Sequence, residues 1–187
     1  MSKLEAVILA GGRSSRMGRD KALLPFGGYT SLAEYQYRSL LPLFARVSIS
    51  AKSDKFPFDA PLILDQGEES SPMVALASIL RAVESEGVFL LGVDMPFVTD
   101  EVVRKILRAF EEEPDSQVYV AQNPRGTEPL CAIYRKDLLP RAEELLHKGR
   151  HRLQDLLERS LVCRVDFDNA EAFVNLNTPQ EYDAAQG

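Results

Sequence analysis

The main constraint on what this chain can fold into is a set of short apolar runs separated by stretches with helical spacing. The runs are Leu4–Ala10, Arg46–Ala51, Pro61–Leu64, Val88–Val93, Val118–Ala121, Leu130–Tyr134 and Leu161–Phe167. All are strand length, and helix start signals lie between several of them. Ser31-x-x-Glu34 predicts a capping box opening a helix to about Leu41. Pro72 directly after Ser71 predicts a helix start, with the helix running to near Gly87. Thr99, followed by Asp100 and Glu101, predicts a helix that Pro114 stops. Thr178-Pro179-x-Glu181 predicts a short terminal helix. Such alternation implies a mainly parallel sheet with helices on both faces, a three-layer α/β sandwich formed by residues 1–187 as a single domain. Val88–Val93 is apolar throughout, as a central strand covered on both faces requires. Asn123-Pro124-Arg125-Gly126 is a turn signal between two strand-like runs, so an antiparallel excursion is expected near Gln122–Tyr134.

Composition narrows the function. With 187 residues and 45% of them hydrophobic, the chain can bury a substantial core. A net charge of −6 argues against a protein that coats nucleic acid or an anionic membrane through its overall field. The two cysteines, Cys131 and Cys163, form no CxxC or Cys/His cluster, so free thiols are expected rather than a disulfide framework or zinc site. The first apolar run is too short for a signal peptide and leads into glycines rather than a cleavage site. No stretch approaches a membrane span. These features together point to the cytoplasm.

Local charge runs the other way in one stretch. Leu9-Ala10-Gly11-Gly12-Arg13-Ser14-Ser15-Arg16-Met17-Gly18-Arg19-Asp20-Lys21 follows the first apolar run, where open α/β sheets bind ligands. Glycines let backbone N–H groups approach a phosphate closely. Arg13, Arg16, Arg19 and Lys21 stand against the single acid Asp20. A solvated basic turn would explain one glycine pair, whereas glycines with four cations directly after the first strand point to a polyanionic ligand. The glycine spacing is not that of a P-loop, and no G-x-G-x-x-G dinucleotide fingerprint is present.

A second candidate is Asp94, which ends the Val88–Val93 strand. A carboxylate at a central strand tip faces the crevice, and hard oxygen ligands suit Mg²⁺ bound together with phosphates. Thr99 is the better cap for the next helix, which leaves Asp94 free for that task. On spacing alone, Asp65 before Gln66-Gly67 reads as a turn-forming residue. Neither His147 nor His151 has a partner that suggests a triad or metal site. The run Gly149-Arg150-His151-Arg152 reads equally as a solvated helix start or as a face for an anionic acceptor.

The stretch LAGG-x-S-x-RMG-x-DK resembles the signature of bacterial nucleotidyltransferases with a Rossmann-like fold. Together with Phe173-Val174-Asn175-Leu176-Asn177-Thr178-Pro179-Gln180-Glu181, it resembles the molybdenum cofactor guanylyltransferases. Matching landmarks run from the first strand to the last helix. The resemblance implies transfer of GMP from GTP to the terminal phosphate of molybdopterin, with Mg²⁺ as cofactor. It also implies roles: Arg16, Lys21 and Asp94 catalytic, with Asp94 holding the metal. Leu9, Ala10, Gly11, Gly12, Lys21, Ser50, Asp65 and Asp94 would bind the nucleotide, and Asn175 and Asn177 the acceptor. Thr127-Glu128-Pro129-Leu130 resembles an acceptor-side loop. Transient contact with cofactor-synthesis or molybdoenzyme-maturation proteins is a further implication. Two departures stand out: Ser50 occupies a position where the family often has Asn, and Ser71-Pro72-Met73-Val74-Ala75 replaces a glycine-bearing segment. Cytidylyl transfer to molybdopterin, nucleotidyl transfer to a sugar phosphate and a non-catalytic nucleotide-binding regulator remain the alternatives.

Overall fold

The chain is described by a computed structural model covering residues 2–11, 20–66 and 70–185. Every apolar run becomes a strand: β1 (Ser2–Leu9), β2 (Phe44–Ala51), β3 (Leu62–Leu64), β4 (Gly87–Gly92), β5 (Val118–Asn123), β6 (Gly126–Arg135) and β7 (Val162–Asp166). They form one sheet in the order β3-β2-β1-β4-β6-β5-β7. β1 pairs in parallel with both β2 and β4, and β2 in parallel with β3. β6 is antiparallel to β4 and to β5, while β5 and β7 are parallel.

Alternation along the strands builds the three layers. Ala6 and Ile8 of β1 join Phe89 and Leu91 of β4 in one core, covered by helices α1 (Leu32–Leu40) and α3 (Asp100–Glu112). Val7, Leu9, Val88 and Leu90 face the other way, into a core with α2 (Pro72–Ala82), α4 (Leu139–His147) and α5 (Leu153–Leu157). All of β4 is buried, as its uninterrupted apolar sequence requires.

Helix ends follow local chemistry, with two differences from the sequence expectation. The Ser31 hydroxyl accepts the Glu34 N–H, but Glu34 reaches back to the N–H and hydroxyl of Thr30, one residue before the cap. α2 stops at Ala82 rather than near Gly87. The Glu5 carboxylate of β1 accepts the Glu84 and Ser85 N–H groups (2.6 and 3.1 Å), drawing the chain out of the helix. Thr99 caps α3, and Thr178 with Glu181 forms a full capping box on α6 (Pro179–Ala184).

The expected turn joins β5 to β6, with Gly126 at φ 133. The excursion is longer than Gln122–Tyr134, because β6 continues to Arg135. Val120 faces Ala132 while the next residue, Ala121, faces Glu128. Pro129, Leu130 and Cys131 therefore bulge out of the β5 ladder, and Tyr134 Oη pins the bulge by donating to the Pro129 carbonyl (2.7 Å).

Candidate functional site

Parallel register brings the carboxyl ends of β1, β2, β3 and β4 to one edge. Backbone bonds lace these ends together: Val93 N–H to Leu9 carbonyl (3.1 Å), Ala10 N–H to Ser50 carbonyl (2.9 Å) and Asp65 N–H to Ala51 carbonyl (3.0 Å). The chain runs from β1 to β2 and β3 on one side and then crosses back to β4 on the other, so a crevice opens between β1 and β4, at the topological switch point. A cleft of about 230 Å³ occupies it, lined by Leu9, Ala10, Gly11, Asp20, Lys21, Ala22, Pro72, Val93, Asp94 and Leu130.

Lys21 is the hub. It opens a 3-10 turn whose cap is Asp20, with Asp20 Oδ1 accepting the Ala22 N–H (3.1 Å). Lys21 Nζ lies 3.3 Å from Asp94 Oδ2 and donates to Asn177 Oδ1 at 2.9 Å. The Asp94 carbonyl accepts the Leu176 N–H (2.9 Å), which bolts the C-terminal stretch onto the β4 tip. Glu181 steadies Asn177 by accepting its N–H (2.7 Å), and that backbone bond first of all holds the Glu181 carboxyl below its ordinary range. Asn175 is half-buried in the same extended stretch.

Asp65 does more than shape a turn. Ser50, fully buried at the end of β2, donates its hydroxyl to Asp65 Oδ1 at 2.5 Å. The other carboxylate oxygen lies against Gly11: a Cβ there would sit 2.7 Å from Asp65 Oδ2. Glycine at position 11 is thus what lets the carboxylate approach so closely; a Cβ there would make it shift. Leu9, Ala10, Gly11, Lys21 and Asp94 all line the cleft, with the Ser50–Asp65 pair directly behind Gly11. Gly12, Arg13, Arg16 and Arg19 lie outside the described residues.

Three further side chains also meet here, of which the sequence had marked Leu130 alone, within the Thr127–Leu130 loop. Gln36, buried in α1, donates from Nε2 to the Met95 carbonyl (2.7 Å), directly behind Asp94. Its Oε1 has no hydrogen-bond partner among the described residues. Leu130, turned in by the β6 bulge, packs where a Cβ on Gly92 would meet it at 3.3 Å. Lys55 contacts the Asp20 carboxylate. A polar residue on the inward face of α1 was the available signal for Gln36, and the resemblance of the Thr127–Leu130 loop was the signal for Leu130; Lys55 had none, because it comes from an irregular loop.

The patch at Gly149–Arg152 leans on α2. Gly149, at φ 68, reverses the chain after α4. Arg150 pairs with Asp155 (3.1 Å), and His151 Nδ1 lies 3.3 Å from the hydroxyl of Ser71, the residue before Pro72 of the cleft. Nearby in sequence to Leu130, Glu128 accepts from Asn123 Nδ2 (2.8 Å), and its half-burial raises its carboxyl above the ordinary value. Burial pushes the Cys131 thiol and Tyr134 phenol strongly upward, so neither offers a nucleophile at neutral pH. Among the described residues the cleft instead presents Lys21, carboxylates and closely approachable backbone, a surface suited to phosphate groups. Among the described residues, no cluster of three or more His, Cys, Asp or Glu side chains forms a metal cage. Asp94, 23% exposed at the cleft lip, fits Mg²⁺ held through one carboxylate and substrate phosphates.

An open α/β sheet with an antiparallel insertion and a glycine-bordered cleft at its switch point is the architecture of the nucleotidyltransferase fold. The model of the MobA-like NTP transferase domain matches residues 6–165, and the chain belongs to that family. A molybdenum cofactor guanylyltransferase of Campylobacter jejuni subsp. doylei is 36% identical over 185 residues, covering 98% of this chain and 95% of the relative. One from Helicobacter pylori J99 is 32% identical, covering 99% and 89%. The crystal structure of molybdopterin-guanine dinucleotide biosynthesis protein A from Archaeoglobus fulgidus shares the fold, with a TM-score of 0.83, 21% identity and coverage of 98% and 97%.

Proposed function

We propose that this chain, acting as one cytoplasmic domain over residues 1–187, transfers GMP from GTP to the terminal phosphate of molybdopterin in a Mg²⁺-dependent reaction. The observation that carries the phosphate chemistry is Lys21, which joins Asp94 at the β4 tip to Asn177 near the other end of the chain. The names of the curated relatives support the choice of GTP and molybdopterin.

In this reading an oxygen of the acceptor phosphate attacks the α-phosphorus of GTP. A new P–O bond forms, the α–β bridging P–O bond breaks, and pyrophosphate leaves with the electron pair. Attacking and leaving groups are both phosphates, so no Ser, Cys or His nucleophile is required, and catalysis consists of positioning and charge stabilisation. Lys21, Arg16 and the amides near Gly11 and Gly12 hold the triphosphate. Asp94 would hold Mg²⁺, which supplies charge neutralisation to the phosphate oxygens. Leu9, Ala10 and Asp65 face the nucleoside, where a carboxylate can accept from guanine N1 and N2, and the buried Ser50 serves nucleotide binding by holding Asp65 in place. Asn175 and Asn177 orient the acceptor, and the product invites transient contact with molybdoenzyme-maturation proteins.

The test is pyrophosphate release by the purified protein with GTP, Mg²⁺ and molybdopterin. Release should require all three. Release without molybdopterin, or none with the complete mixture, would overturn the assignment.

A further inference from the structure

Asp20 is an awkward neighbour for a polyphosphate. It lines the cleft, immediately precedes Lys21, and cannot turn away, because Oδ1 caps the 3-10 turn that carries Lys21. An uncompensated carboxylate there would repel the ligand that Lys21 attracts. Compensation comes from far along the chain. Lys55, in the irregular segment between β2 and β3, directs Nζ at Asp20 Oδ2 and lies 3.4 Å from the Ala10 carbonyl. The ring of Phe56 lies 5.6 Å from the same ammonium. Lys55 thus sits in the wall of the cleft, between two residues that line it, and is itself only 25% exposed.

We propose that Lys55 is a positioning residue for polyphosphate binding: it discharges Asp20, so that this carboxylate can hold the Lys21 turn without opposing the ligand. The inference rests on reading the cleft as the nucleotide site.

Calorimetric titration with GTP and Mg²⁺ tests it, using wild type, Lys55→Met, Lys55→Arg and the double variant Asp20→Asn/Lys55→Met. Lys55→Met should weaken GTP binding about five- to tenfold at low salt, with a smaller loss at high salt, as one partly screened charge predicts. Lys55→Arg should bind as wild type does. The double variant should return to within about twofold of wild type, because the offending carboxylate has gone with its partner. Wild-type affinity in Lys55→Met overturns the proposal. So does a double variant as weak as Lys55→Met, which would mean that the lysine contacts the ligand itself. Failure of the wild type to bind GTP at all is a different result and overturns the nucleotide reading beneath both.

Discussion

Gly11→Ala isolates the steric relation on which the proposed nucleoside side of the cleft depends. Gly11 lies outside the left-handed region, so alanine meets no backbone obstacle there. The obstacle is Asp65 Oδ2, 2.7 Å from the added Cβ, whereas ordinary contact begins near 3.4 Å. The carboxylate must therefore retreat by about 0.7 Å. Its other oxygen is held by Ser50 at 2.5 Å, so a retreat of that size stretches this contact to as much as about 3.2 Å, beyond the normal O–H···O range, and at the limit the bond is lost. Losing a bond to a charged acceptor costs about 1.5–3 kcal/mol. Replacing glycine restores about 0.4–1 kcal/mol through the unfolded state. The balance is a destabilisation of about 1–2 kcal/mol, or a fall in Tm of about 3–6 °C for a domain of this size. GTP affinity should fall about tenfold or more, since the displaced carboxylate no longer meets the nucleoside. Thermal unfolding and GTP titration on Gly11→Ala, Ser50→Ala and the double variant close a cycle. The two substitutions should couple by about 1 kcal/mol, because each breaks the same bond. Additive losses would refute the link between Gly11, Asp65 and Ser50.

Asp94→Asn should keep the fold and the Lys21 contact but lower kcat by about 10²-fold or more; near wild-type turnover at limiting Mg²⁺ would remove Asp94 from the chemistry. Gln36→Leu frees the Met95 carbonyl behind Asp94 while also removing the unpartnered Oε1, so stability should change by about 1 kcal/mol or less. Its Mg²⁺ concentration for half-maximal rate should nevertheless rise several-fold, and an unchanged Mg²⁺ requirement would make Gln36 purely structural. Glu128→Gln should raise Tm at pH 7.5, because burial lifts this carboxyl above 4.5 in the folded state and its ionised form is penalised there. That gain should be full above the folded pKa and vanish below pH 4.5, so a pH-independent gain would contradict the stated cause.

The strands were legible because seven apolar runs of strand length alternate with helix signals, and the burial of β4 on both faces follows from its lack of polar positions. Caps at Ser71, Thr99 and Thr178 were equally readable, since a short polar side chain before a helical stretch has few other uses. The end of α2 was not, because Glu5 intercepts the chain from a strand almost 80 residues away in sequence. Lys21 and Asp94 were singled out by charge concentration and strand-end position, and the structure brings them together with Asn177. Ser50 and Asp65 carried little signal of their own beyond family resemblance; their bond arises from the parallel register of β2 and β3. The contact of Lys55 with Asp20 depended on tertiary structure that no local pattern encodes. A lysine in an irregular loop reads as solvated until the carboxylate beside it is known.

The measurement that bears most directly on the proposed activity is a competition between α-phosphate-labelled GTP and CTP, at equal concentration, for molybdopterin in the presence of Mg²⁺. In the proposed reaction Lys21 and Asp94 act on groups that every NTP shares, so discrimination falls to the nucleoside side, where Ser50 holds Asp65. A site built to accept from guanine N1 and N2 leaves buried polar groups unpaired when another base enters. The account predicts a molybdopterin dinucleotide carrying label from GTP, with kcat/KM favouring GTP by about 10²-fold or more. Equal labelling from CTP, or a product without molybdopterin, would contradict it.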